Sequence, residues 1–238
     1  MNDRNVRRER RAQRRASPQG GLSREAKALL GIGAAIAAVA VVVFFVFAPG
    51  DDDPAPAAEA AGGGGAQLVR EDSPQAGPAD APVTLVEFLD PECESCGAMY
   101  PIVEQIREDY GDRINFVVRY FPLHFNSVLA ASAMEAAGRQ DRYWDMYSLL
   151  FQRQREWGEQ RTSQRDLFVT YASELGLDID TFTVDLDDPA IQAKVERDQR
   201  DGVAFGVEGT PTFFINGQMV GSMMTADMLR DRIEAELP

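Results

Sequence analysis

This chain has only two cysteines, Cys93 and Cys96. They stand three residues apart in Pro91-Glu92-Cys93-Glu94-Ser95-Cys96, directly after the apolar run Val83-Thr84-Leu85-Val86-Glu87-Phe88-Leu89. At such a strand-to-helix junction the first thiol sits at a helix N-terminus, where unpaired backbone N–H groups and the helix dipole favour a thiolate. The second thiol, one turn on, can close a ring onto the first. The chemistry indicated is thiol–disulfide exchange. A purely stabilising disulfide is a poor alternative, because a bridge across three residues restrains little chain entropy. A zinc site would need further ligands, and with no third cysteine and a single histidine, His124, no metal is expected.

The elements that must hold this pair follow from the pattern around it. Leu68-Val69-Arg70 reads as a short edge strand and Val83–Leu89 as a longer one. A helix runs from about Cys93 with Ile102, Val103 and Ile106 at helical spacing, is kinked at Pro101 and ends before Gly111. Ile114–Tyr120 is the next strand. From Asn126 to about Arg200 the pattern is helical, with Gly138, Gly158, Gly176 and Pro189 as punctuation. Thr212–Ile215 and Gln218–Val220 flank Asn216-Gly217, a strong hairpin-turn signal, and a last helix starts at Thr225 as N-cap and runs to Leu237.

Before this body the composition changes sharply. The first 28 residues hold nine Lys/Arg against three acids, although the whole chain has a net charge of −14. Residues 29–48 are charge-free and apolar, about the ~20 residues a helix needs to cross a bilayer. We expect residues 1–28 to be a basic cytoplasmic arm, 29–48 a transmembrane helix, 49–66 a Gly/Ala/Pro-rich flexible linker, and 67–238 one domain outside the membrane. The span is read as an uncleaved anchor because it exceeds the ~7–15 apolar residues of a signal peptide and Pro49 follows the candidate cleavage site. Beside a span the basic arm sets topology and contacts anionic lipid, so no nucleic-acid partner is expected. The acidic surface is a solubility feature.

Strand, helix, strand, helical block, hairpin and terminal helix make an α/β chain in the order of a thioredoxin-like fold with a helical insertion at about 126–200. Glu87-Phe88 ahead of the cysteine pair, Arg119-Tyr120-Phe121-Pro122-Leu123 after the second long strand, and Gly209-Thr210-Pro211-Thr212-Phe213 before the hairpin carry a resemblance. The chain resembles DsbA-type thiol:disulfide oxidoreductases, and more closely the membrane-anchored DsbA-like proteins of Gram-positive bacteria. The resemblance implies Cys93 as nucleophile, Cys96 as resolving thiol, and Thr210-Pro211 as a cis-proline loop offering backbone groups to substrate. It implies Glu87 as a buried carboxylate exchanging a proton with the resolving thiol, and strand alternation places Glu87 on one face with Val83 and Leu85.

The departure is Glu94-Ser95, which stands where strongly oxidising members carry Pro-His. With Glu92 and Glu94 beside it, the Cys93 pKa is expected to rise, and the potential to lie below the oxidising end of the range from about −120 to about −270 mV. His124 is read as a loop residue, and Met219, Met223 and Met224 as core filling more than groove lining. The expected function is a membrane-tethered, extracytoplasmic oxidase of secreted proteins. It would act on unfolded or partly folded polypeptides, be reoxidised by a quinone-linked membrane partner, and need no cofactor. A reductase or isomerase, or a non-catalytic thioredoxin-like binding module, are the alternatives.

Overall fold

The computed structural model describes residues 65–222 and 224–238. The expected basic arm, the membrane span, the linker up to residue 64 and Met223 lie outside the described residues. Among the described residues no helix is long and apolar enough to cross a membrane.

Two mainly apolar strands set the architecture. β2 (Val83–Leu89) and β3 (Ile114–Tyr120) are rich in branched and aromatic residues and are buried on both faces, as parallel central strands are. They pair in parallel from Val83 opposite Ile114 to Leu89 opposite Tyr120. The crossover between them is α1 (Glu94–Tyr110), which passes through Pro101 as one helix, and a 3₁₀ turn at Gly111–Arg113. β4 (Thr212–Ile215) pairs antiparallel with β2 and turns into β5 (Gln218–Gly221). Asn216 and Gly217 both have positive φ, 46° and 85°, as a two-residue hairpin turn requires. Sheet order is β1-β3-β2-β4-β5.

The edge strand differs from expectation. β1 is Gln75–Ala76, antiparallel to β3, whereas Leu68–Arg70 forms no strand. The reason is a competing partner: the carbonyls of Gln67 and Leu68 accept from the guanidinium of Arg119 on β3.

The helical insertion is α2 (Ser127–Gly138), α3 (Tyr143–Gln152), α4 (Gln154–Trp157), α5 (Arg165–Glu174), α6 (Ile179–Leu186) and α7 (Pro189–Ala204). Its last two helices start on side-chain caps: Asp178 accepts from Thr181 N at 2.7 Å ahead of α6, and Asp188 accepts from Ala190 N ahead of Pro189 in α7. α2 is alanine-rich, with Ala130, Ala131, Ala133, Ala136 and Ala137 all buried, so neighbouring helices approach it closely. Thr225 caps the closing helix α8 (Ala226–Glu236) by accepting from Met228 N. α1, α8 and the insertion cover the sheet face that carries Val83, Leu85, Phe116, Val118 and Phe213. Val86, Phe88, Val117 and Phe214 face the other way, onto Phe121, Val207 and Phe205.

Arg119 is fully buried and joins three parts of the chain. Besides Gln67 and Leu68, it meets Asp198 at 2.9 Å and Asp201 on α7, while Asp201 also takes Arg70. These contacts fasten the start of the domain to the insertion. Removing the cation leaves two buried carboxylates and two carbonyls without it. Arg119→Ala is therefore expected to destabilise the domain by about 3–5 kcal/mol, read as a lower urea midpoint at an unchanged slope.

Candidate active site

The chain leaves β2 through a turn organised by Asp90, which is fully buried. Its Oδ1 accepts from Glu92 N at 2.9 Å, and its Oδ2 accepts from Leu123 N at 2.7 Å and faces His124 Nδ1 at 2.6 Å. The Asp90 carbonyl accepts from Cys93 N at 3.1 Å. Cys93 thereby becomes the N-cap of α1 with extended dihedrals, φ −67° and ψ 123°, and Cys96 falls in the first turn. Both thiols are free and both are buried, Cys96 almost completely.

The loop before β4 comes alongside. The Thr210-Pro211 bond is cis. The neutral Cys93 thiol donates to the Thr210 carbonyl at 3.4 Å. Glu87 lies on the core face of β2, 2 % exposed, with one carboxyl oxygen unpartnered. Glu94 is exposed and Ser95 half-buried on α1. The structure thus gathers Cys93, Cys96, Glu87, Thr210 and Pro211 at one end of the sheet.

The two thiols are strongly unlike. The Cys93 pKa falls from 9.0 to about 5, first through the Cys96 thiol as donor and against the cost of burial; the Thr210 side chain and the N–H groups of Cys96 and Ser95 add to the lowering. Cys96 moves the other way, raised by burial, by its bond to Cys93 and by the charge of Glu87. Glu87 is pushed up to about 8 by burial and by the negative charges of Cys93 and Glu104, so it holds a proton at neutral pH.

The lowered Cys93 pKa corrects the expectation drawn from the flanking acids. Glu92 does not lean on the thiolate: it is buried, with Oε2 accepting from Asn126 N at 2.5 Å, and Glu94 points to solvent. Donors aimed at Sγ outweigh two acids that look elsewhere. A value of about 5 lies between about 7 in thioredoxin and about 3.5 in DsbA.

Several functional neighbours escape a sequence reading. Asp90 had one available signal, an acid before proline at a strand end, which favours a side-chain-to-backbone turn. Asn126 ties Glu92 to the insertion by donating to the carbonyls of Gln160 and Thr162. His124 stays a loop residue, but one fixed to Asp90. Its pKa is raised even though burial lowers it, because the bond to Asp90 and the charges of Asp90, Cys93 and Glu92 prevail. Met224 is core, while Met219 on β5 is 46 % exposed. An open groove of about 720 Å³ runs beside the site, lined by Glu92, His124, Phe125, Glu159, Gln160 and Arg161. Phe125 is 65 % exposed on the groove, and its neighbour Leu123 is 51 % exposed, so apolar surface stands open beside the site.

Comparison with known proteins bears on the fold that holds this site. The thioredoxin family model covers residues 70–235. BdbD from Bacillus subtilis in its oxidised form is similar with 27 % identity and a TM-score of 0.62, over 72 % of this chain and 96 % of that one. alpha-DsbA1 from Wolbachia pipientis shares the fold at 22 % identity and a TM-score of 0.65, over 71 % and 92 %. Curated relatives include the Na(+)/H(+) antiporter NhaA of Herminiimonas arsenicoxydans, 38 % identical over 67 % of this chain, and NhaA 1 of Salinispora arenicola, 39 % identical over 60 %. The chain spans about a quarter of the length of these relatives, 25 % and 21 %.

Two measurements check the electrostatics. The ultraviolet absorbance of the reduced protein should report a thiolate titrating near pH 5 and lost in Cys93→Ser; a midpoint near the ordinary thiol value would contradict the geometry. For Glu87, a folded pKa raised above the unfolded one gives stability that is present at low pH and lost as pH rises through about 8. Glu87→Gln should therefore resist denaturant better than wild type at pH 8, on the order of a few kcal/mol, with the difference vanishing toward pH 4.

Proposed function

This chain belongs to the thioredoxin family as a thiol:disulfide oxidoreductase of the DsbA type, and from that premise we propose that it works as an oxidase, tethered to the membrane with its catalytic domain on the outer side. The observation that carries the oxidase reading is the split between the thiols, Cys93 titrating near 5 and Cys96 raised. A depressed pKa gives the reduced form stability that is present at neutral pH and lost as pH falls through 5, so the protein is favoured as electron acceptor. The potential falls between those of thioredoxin and DsbA, as the thiol pKa does.

The reaction starts from the Cys93–Cys96 disulfide. A substrate thiolate attacks Cys93 Sγ, the S–S bond breaks and its electron pair stays on Cys96, whose high proton affinity draws a proton from neutral Glu87. A second substrate thiolate then attacks the substrate sulfur of the mixed disulfide. The substrate leaves with its own disulfide, Cys93 departs as a stabilised thiolate, and two electrons have passed to the protein. Cys93, not Cys96, is the sulfur attacked, because its thiolate is the better leaving group in the second step and Cys96 is shut in the core.

Substrates are unfolded or partly folded secreted proteins. The open groove with its apolar rim at Leu123 and Phe125, and the Thr210 carbonyl beside Sγ, suit an extended chain rather than a small molecule. Residues 29–48 supply the anchor, residues 49–66 the reach, and a quinone-linked membrane partner accepts the electrons. Similarity to a portion of proteins named as Na(+)/H(+) antiporters agrees with work close to a membrane.

The oxidised protein, mixed with a reduced unfolded disulfide protein, should restore that protein's activity, and Cys93→Ser should not. Equal behaviour of the two would leave only a binding module. In intact cells, acid trapping and alkylation should find Cys93 and Cys96 oxidised; a reduced pair would favour the reductase or isomerase.

A further inference from the structure

Gln154 touches the redox site from the helical insertion, 61 positions along the chain from Cys93. One side-chain amide spends both its hydrogens there: Nε2 donates to the Pro91 carbonyl at 2.8 Å and to the Cys93 carbonyl at 2.9 Å. The Cys93 carbonyl also accepts from Gly97 N at 3.0 Å, the first helical bond of α1. Oxygen Oε1 of the same amide lies against Gly97, where a Cβ would come within 2.1 Å of it. Glycine at 97 is thus what leaves room for Gln154 to reach.

The base of this reach is rigid. Gln154 opens α4, its carbonyl accepts from Gly158 N at 2.7 Å, and three residues later Trp157 is wholly buried. Trp157 donates to the Leu150 carbonyl at 3.0 Å and meets Phe168 edge-on at 5.1 Å. α3 behind it is packed on α1 through Tyr147 and Phe151 against Tyr100. The amide is therefore presented by a fixed frame.

We propose that Gln154 is a positioning residue for thiol–disulfide exchange, a clamp from the insertion that fixes the Pro91 and Cys93 peptides and so keeps the N–H groups of Ser95 and Cys96 aimed at the Cys93 sulfur. The inference rests on Cys93 being the exchanging thiol. It gives the insertion a role beyond covering the sheet: it sets the reactivity of the pair. Oxidised and reduced forms differ in where the two sulfurs sit, and a clamp on the carbonyl side holds the backbone donors in place without depending on the S–S bond. When the carbonyls are released, the Cys93–Glu94 peptide can rotate and the donors lose aim, so the thiolate loses hydrogen bonds and Cys93 becomes harder to deprotonate.

The test uses Gln154→Met, which keeps length and removes both donors, and Gly97→Ala, which keeps the donors and displaces them. Thiolate absorbance against pH and the rate of alkylation at pH 5 are read in the reduced full-length protein. Each variant should shift the Cys93 midpoint upward and slow alkylation at that pH several-fold, and the double variant should be no worse than the worse single one, because both changes release one clamp. A residue that only supports folding would lower the denaturation midpoint and leave the Cys93 titration in place. Wild-type titration in both folded single variants overturns the proposal, as does full additivity in the double variant. Wild type serves as the control for the reading beneath: if it exchanges disulfides while the variants titrate normally, the clamp alone fails, and if it exchanges none, the activity itself is refuted. Should Gln154→Met fail to fold, Gly97→Ala alone decides on the same readout.

Discussion

Everything at the working end of this domain depends on a negative charge being tolerable on Cys93 while buried. Burial by itself opposes that charge. What reverses the balance is hydrogen bonding to Sγ at the start of α1, from the Cys96 thiol, the Thr210 side chain and two backbone N–H groups. Each donor comes from a different constraint. The backbone groups are presented by the helix start that Asp90 organises, Cys96 by the pitch of one turn, and Thr210 by the cis-proline loop that enters β4. β4 lies beside β2 in the sheet, with Thr212 opposite Phe88, so the Thr210 loop ends within reach of the residue that follows β2 and its turn.

Placing Cys96 and Glu87 behind Cys93 is the complementary condition. Exchange requires that one sulfur leave as an anion and that the other not compete for the substrate. Cys96 is kept from competing by the same burial that raises its proton affinity, and the proton it needs is held one strand away on Glu87. A carboxyl on the apolar face of a central strand is costly, and it stays neutral near pH 7 because nothing cationic is paired with it there. Burial thus acts on two groups of opposite use, keeping a thiol protonated and a proton in store.

Much of this could be read from the chain because it is local. The cysteine spacing, the strand Val83–Leu89, the Asn216-Gly217 turn and the Thr225 cap are each settled by a few adjacent residues, and the structure has them at those positions. What the sequence hid depends on partners far along it. Leu68–Arg70 has a strand pattern, yet Arg119, some fifty positions away, takes the carbonyls of Gln67 and Leu68. Glu92 looks like a charge beside a thiol, but Asn126 turns it inward. Asp90, Asn126 and Gln154 bring together the turn after β2, the loop after β3 and α4, and no short motif marks a residue whose partner is 33 to 63 positions distant. Proximity in sequence is not proximity of charge, because side-chain direction breaks the equivalence.

That distinction bears on why Glu94-Ser95 can stand between the cysteines at all. Where a histidine occupies the dipeptide, a nearby cation can hold the thiolate by charge, an effect that salt weakens and pH switches. Here the dipeptide supplies no cation, and its contribution is the backbone N–H of Ser95. Hydrogen bonds of this kind act over a fixed short range and are little screened, but they fall off steeply when the donor loses its aim. Reactivity is therefore bought with geometric precision instead of charge, and the precision must come from elsewhere in the fold. The helical insertion contacts the site backbone through Gln154 and the Glu92 carboxylate through the Asn126 N–H. A thioredoxin core with this dipeptide and a displaced insertion would keep both cysteines and lose the difference between them.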